Sequence, residues 1–174
     1  MSRSEVPLCF KVIVVSDRVA EGTLTDVSGE LATKLLRENG FCVTGKLIIR
    51  NSYREIVKAI RSSGDRVLLF LGGTGPSPRD ITVDVIESAA WRCLPGFGEI
   101  FRHLSYREIG ANSLLTRTTL CILYDGKIAV ALPGSPNAVR LGVELLSQVV
   151  NHLIIEIDKF EITREAEHCR NHLV

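Results

Sequence analysis

Short apolar runs alternate with amphipathic stretches along the whole chain. Residues 10–15 (Phe-Lys-Val-Ile-Val-Val) read as a strand buried on both faces, and residues 66–71 repeat the pattern. Between them Leu31, Leu35 and Leu36 recur at helical spacing. A helix is therefore expected over 29–39, with Ser28 as N-cap and Gly40 at the C′ position. Residues 41–49 read as a strand, and Ser52 can cap a second helix whose stripe is Ile56, Val57 and Ile60. Further helices are expected over 81–91 and 98–107. Residues 118–124 and 127–132 read as two strands joined by Asp125-Gly126, the signal of a two-residue hairpin. A helix over 136–154 follows, apolar at 138, 139, 141, 143, 145, 146, 149 and 150. The alternation predicts an α/β fold, a three-layer α/β/α sandwich with a mostly parallel sheet plus a β-hairpin. A single domain is expected, with residues 1–9 and 155–174 as terminal extensions and the charged last twenty residues forming a surface strand, helix or tail.

Composition narrows the partners. A chain of 174 residues can bury about two-thirds of its unfolded surface. Lys plus Arg number 21 against 20 for Asp plus Glu, so no global basic field recruits nucleic acid. No apolar run is expected to reach the length that crosses a bilayer, and the amino terminus lacks the apolar core of a signal peptide. A cytoplasmic location is the expectation. The five cysteines, at 9, 42, 93, 121 and 169, form no Cys-x-x-Cys pair. Cys42 and Cys121 fall in expected strands as small buried apolar residues, so neither a disulfide framework nor a zinc site is expected.

The chemistry concentrates after the strand at 66–71, which runs into Gly72-Gly73-Thr74-Gly75-Pro-Ser77-Pro-Arg79-Asp80. Glycines let successive N–H groups form a concave anion nest, and two prolines stiffen the loop around Ser77. A donor-rich turn at the carboxyl end of a parallel strand is where open α/β sheets place ligands. A phosphate-bearing ligand is expected there, with Asp80 available for a divalent cation. Four features gather if the first and third strands are neighbours: Ser16-Asp17-Arg18, Asp26-Val-Ser-Gly29, the glycine loop, and Asp84 one helical turn beyond Asp80. Asp80 and Asp84 share a helix face and are candidate ligands for Mg2+, although Asp80 and Thr82 serve equally as N-capping groups. A second turn, Leu132-Pro133-Gly134-Ser135-Pro136, opens a helix whose N-terminus favours anions, and pairs with the glycine loop as the opposite wall of one cleft. Gly40 to Lys46 has phosphate-loop spacing, but Leu47 replaces the required Ser or Thr and the context is helix-to-strand.

With these motifs assembled, the sequence resembles the MoaB/Mog family of molybdenum-cofactor biosynthesis proteins, related to the gephyrin G domain. The resemblance runs from about residue 10 to 154. It rests on Ser16-Asp17-Arg18, Asp26-Val-Ser-Gly29, Gly72-Gly-Thr-Gly75 with Arg79-Asp80 and Thr82, Leu94-Pro-Gly-Phe-Gly-Glu99, Thr116-Arg117 and Leu132-Pro-Gly-Ser-Pro136. It implies binding of molybdopterin and, in active members, its adenylylation from Mg-ATP, in a homotrimer or dimer of trimers. Asp80 would then hold the metal. Many active members carry an aspartate where this chain has Asn51, the residue before Gly72 is usually Ser or Thr rather than Leu71, and Thr-Pro-Glu-Ala is here Thr82-Val-Asp-Val85. Those departures leave open a non-catalytic molybdopterin scaffold or carrier as the alternative.

Overall fold

The computed structural model describes residues 8–171, with side chains through residue 159. In chain order the elements are β1 (Cys9–Val15), α1 (Asp17–Ala20), α2 (Ser28–Glu38), β2 (Cys42–Ile49), α3 (Tyr53–Ser62), β3 (Val67–Leu71) and α4 (Thr82–Ser88). There follow β4 (Ala90–Cys93), α5 (Pro95–Ile109), a 3-10 segment Gly110–Leu115, β5 (Thr119–Leu123), β6 (Ile128–Leu132) and α6 (Pro136–Asn171). The strands form one six-stranded sheet in the order β2-β1-β3-β6-β5-β4. Neighbours from β2 to β6 run parallel, whereas β5 is antiparallel to both β6 and β4.

Period-two alternation divides the apolar side chains between two helical layers. Phe10, Val12, Val14, Val67, Leu69, Leu71, Ile128, Val130 and Leu132 meet Ala32 and Leu36 of α2, Phe101 of α5, and Val139, Val143, Leu146 and Val150 of α6. Ile13, Val15, Leu68, Phe70, Ala129 and Ala131 face Ile56, Ala59 and Ile60 of α3 and Val83, Val85 and Ile86 of α4. The three-layer α/β/α sandwich is as expected. β3 is buried at every position because it lies between parallel neighbours and under helices on both faces.

Several local expectations are corrected. A short helix, α1, directly follows β1, where the sequence shows no helical periodicity. The helix expected over 81–91 stops at Ser88, and Ala90–Cys93 instead forms an edge strand on β5. The hairpin between β5 and β6 is not a two-residue type I′ turn, which needs positive φ at both central positions. Leu123 N–H donates to the Lys127 carbonyl, Gly126 N–H donates to the Leu123 carbonyl, and Gly126 alone in this loop has positive φ, at 79°. That is a three-residue loop closed by a glycine bulge. Within Pro136–Lys159 of α6 an 18-residue window reaches a mean hydropathy of 1.3, so this helix is long and apolar enough to cross a membrane by length and composition. Arg140, Glu144, Gln148 and Asn151 interrupt it, and Val139, Val143, Leu146 and Val150 of the stretch are core residues. The cysteine expectation fails as well, because Cys93 and Cys121 are joined in a disulfide across β4 and β5.

Candidate functional site

The carboxyl ends of β1, β3 and β6 are adjacent, so the loops that leave them meet. Gly72 sits at the junction: its N–H donates to the Leu132 carbonyl at 2.9 Å. A Cβ on it would lie 2.5 Å from the Val15 carbonyl oxygen, so no side chain fits there. Gly134 lies against it, its own Cβ position 3.7 Å from Gly72 Cα. The two turns expected to face each other across a cleft thus abut instead. One cavity of about 400 Å³ opens beside this junction, lined by Ser16, Arg18, Asp26, Ser28, Gly72 and Gly134 among others. A smaller one of about 70 Å³ lies around Pro133 and Ser135, with Ser105, Glu108 and Thr116. Pro133 and Ser135 therefore belong to a different wall from Gly134.

Ser16 is extended and caps α1, its Oγ accepting the Val19 N–H at 3.3 Å. Asp17 ties three loops together. One carboxylate oxygen accepts the Asn51 N–H at 3.0 Å and the other pairs with Arg79 Nη2 at 3.1 Å. Arg18 is exposed at the cavity mouth and, among the described residues, forms no ion pair, so its charge is available to an anion. Asp26, expected to meet ligand, lines the cavity and also serves the fold. Its Oδ1 accepts the Gly29 N–H at 2.7 Å and the Ser28 hydroxyl at 3.3 Å, and its Oδ2 lies 2.6 Å from Lys46 Nζ. Asp26, not Ser28, satisfies the first turn of α2. Burial opposes the charge on Lys46, but bonds to Asp26 and Glu30 outweigh it and raise the Lys46 pKa. The phosphate-loop lysine rejected from sequence is a buckle between β2 and α2.

The glycine loop is held from both sides. Gly73 has φ of 64°, and its missing side chain leaves room for Thr82 Oγ1 and, at 3.1 Å from the Cβ position, Asn51 Oδ1. Thr82 is fully buried, and both oxygens are buried without a hydrogen-bond partner. Gly75 makes room for Asp80, whose Oδ2 lies 2.7 Å from the Cβ position. Ser77 shapes the turn, its Oγ accepting the Arg79 N–H and its carbonyl the Asp80 N–H. The side-chain amide of Asn51 donates to the Arg79 carbonyl.

Arg117 is the residue that the reading of single motifs undervalued. Its backbone N–H donates to the carbonyl of buried Thr74 at 3.1 Å, Nε to Gly75 O at 2.9 Å, Nη2 to Asp80 O, and Nη1 to Asp84 at 2.8 Å. The guanidinium thereby fixes the loop at two points and α4 at a third. The Arg117 hydrogen bond, against some desolvation, holds the Asp84 carboxyl below the usual carboxylate range. Asp84 is thus the counter-ion of Arg117, and a guanidinium at that distance opposes a second cation on the same carboxylate. The metal role expected of Asp84 competes with this ion pair. The Asp80 carboxylate, by contrast, has no cationic partner among the described residues.

Residues 11–152 match the family model described as a probable molybdopterin binding domain. The chain belongs to this family. It is 37% identical over 160 residues to the molybdopterin adenylyltransferase of Pyrococcus furiosus, covering 87% of this chain and 94% of that protein. It is 34% identical over 155 residues to the molybdenum cofactor biosynthesis protein B of Bacillus anthracis, covering 86% and 90%. The crystal structure of the tungsten cofactor synthesizing protein MoaB from Pyrococcus furiosus superposes with a TM-score of 0.83 at 33% identity, covering 90% of this chain and all of that one. Of the resemblance motifs, the structure gathers Asp17, Asn51, the glycine loop, Asp80 and Arg117 into one network. It sets Asp26 behind that network as a helix cap.

Proposed function

We propose that the protein binds molybdopterin and adenylylates it from Mg-ATP in molybdenum cofactor biosynthesis. The observation that carries the reading is the fixed glycine loop beside an open cavity, with the Asp80 carboxylate left without a cationic partner. A molybdopterin phosphate oxygen would attack the α-phosphorus of ATP, forming one P–O bond while the bond to the pyrophosphate oxygen breaks. Loop N–H groups and Arg18 would neutralise charge on the transferring phosphoryl group, because positioning and electrostatics dominate such reactions. The donor set suits magnesium: Asp80 offers a free carboxylate, and Asn51 Oδ1 offers a neutral oxygen that lacks a partner. Magnesium would lower the cost of that charge; the chain's part is to fix the loop through Arg117 and hold Asp80 in place through Gly75.

Asn51 supports a second reading. A neutral amide oxygen holds a cation less well than a carboxylate, and its N–H₂ group is already spent on the Arg79 carbonyl. The alternative is a molybdopterin scaffold or carrier without turnover. Incubation with molybdopterin and Mg-ATP separates the two. Adenylylated molybdopterin and stoichiometric pyrophosphate support the transferase, whereas pterin binding without pyrophosphate release supports the carrier.

The proposal includes a cytoplasmic setting and a homotrimer or dimer of trimers. An apolar groove between α5 and α6, lined by Leu94, Phe97, Ile100, Leu145, Val149 and Leu153, supports contact between copies, and light scattering on the purified protein tests it.

A further inference from the structure

The disulfide lies away from the glycine loop, at the far end of α4. Cys93 and Cys121 face each other in the antiparallel register of β4 and β5. The next pair toward α5, Leu94 and Leu120, shares a backbone hydrogen bond at 2.8 Å. The cysteine pair is therefore a non-hydrogen-bonded pair, the position where facing side chains approach most closely. Glu87, in the last turn of α4, brings its carboxylate to the same point: one oxygen and both sulfurs lie within 4.8 Å of one another. The burial of the three is graded. Cys121 is fully buried, Cys93 half-buried and Glu87 exposed, so an ion has a route in from solvent. The hydroxyl of buried Thr119 lies 3.4 Å from Cys121 Sγ and can donate to a thiolate there.

We propose that in its dithiol form this corner is a site for a thiophilic divalent cation such as Zn2+, with Cys93, Cys121 and Glu87 as ligands. Two thiolates and a carboxylate on a closed-shell ion leave one tetrahedral position for water. Disulfide and metal are alternative occupants. A thiol reductant supplies two electrons and two protons to the disulfide and is itself oxidised to a disulfide. The two thiols then release their protons to solvent as two metal–sulfur bonds form. In a reducing compartment the dithiol is the resident form. The bound ion would tie the carboxyl end of α4 to the β4–β5 edge, as the disulfide does when oxidised. The inference is independent of the proposed adenylylation.

Cobalt titration of the full chain, reduced under argon and freed of reductant, tests it. The expected result is thiolate-to-cobalt charge-transfer absorption with strong tetrahedral visible bands, saturating at one equivalent and bleached by Zn2+. Cys93→Ser should abolish the charge-transfer band, and Glu87→Gln should weaken the affinity on the order of tenfold or more while retaining it. Cys42→Ser, which alters the separate Cys9–Cys42 pair on β1 and β2, should leave the titration unchanged. Oxidised native protein is a folded control needing no mutation and should show no thiolate-to-cobalt band. Overturning results are a reduced native protein without the band, a band that survives Cys93→Ser, or an equal band in the oxidised protein.

Discussion

Replacing Asn51 with aspartate changes one atom type at the point where the β1, β2 and glycine loops meet. In the native protein the Asn51 side-chain amide donates to the Arg79 carbonyl, its backbone N–H donates to Asp17, and its Oδ1 is buried without a partner beside Gly73. Aspartate keeps the backbone bond and the acceptor oxygen but turns the donor toward Arg79 into a second acceptor. Losing that hydrogen bond costs about 1 kcal/mol, and two facing acceptors in a part-buried site add about 1–2 kcal/mol. The new charge also lies close to Asp17, which the Arg79 guanidinium only partly offsets from its exposed position. The Asn51→Asp protein should thus lose about 2–3 kcal/mol in chelator, or about 4–12 °C in Tm for a chain of this size. If Asp80 and residue 51 share a cation, magnesium reverses most of the loss, since a ligand at a hundredfold its Kd returns about 2.7 kcal/mol. Adenylylation should rise in the same variant. Thermal melts in chelator and in magnesium, with the native protein alongside, make the comparison. A variant as stable as native in chelator refutes the hydrogen-bond argument; one that magnesium fails to stabilise places residue 51 outside the metal shell.

Asp80→Asn should reduce adenylylation on the order of 10²-fold or more with the melting profile intact. Normal turnover in a folded variant would remove Asp80 from the mechanism. Gly73→Val should lower stability as well as ligand binding, because Thr82 Oγ1 fills the space beside Gly73; Gly75→Ala, pressing only on Asp80, should lose nucleotide affinity first. Equal Tm losses in the two variants would contradict that ranking. Asp84 has a lowered carboxyl pKa, so its bond to Arg117 contributes stability above the ordinary aspartate range that is lost as pH falls through the lowered value. Urea titrations should accordingly show Asp84→Asn with a flatter acid limb than native, and identical limbs would deny the pairing.

The sequence made the sheet legible because β1, β3, β5 and β6 are dense apolar runs and their connections carry strong glycine and proline punctuation. It hid β4, where Ala-Trp-Arg-Cys has neither an apolar run nor clean alternation and Trp91 is 57% exposed. An edge strand of that kind is defined by its partner, not by its own composition. The glycine loop was readable as a site because its chemistry is local. Arg117 was not, since its four contacts reach carbonyls and a carboxylate more than thirty residues away, and nothing in Thr116-Arg117 itself announces them. Asp26 carries a role that its sequence setting does not announce: its carboxylate accepts the Gly29 N–H at the first turn of α2 while the residue also lines the cavity. Cysteine spacing could not reveal the disulfide, because register in an antiparallel pair depends on a strand that had not been recognised.

The position of β3 carries a consequence for how the protein comes into being. It pairs with β1 on one side and β6 on the other, Val12 with Leu69 and Leu69 with Val130, so its two seams join distant thirds of the chain. Such pairings close long loops and form slowly. During synthesis the glycine loop emerges well before its neighbour from β6 exists, so the loop has no wall until the chain has left the ribosome through Leu132 of its 174 residues. Acquisition of ligand affinity should therefore trail the burial of the amino-terminal half, and a stalled or truncated chain ending before β6 would carry every loop residue of the nest yet hold nothing.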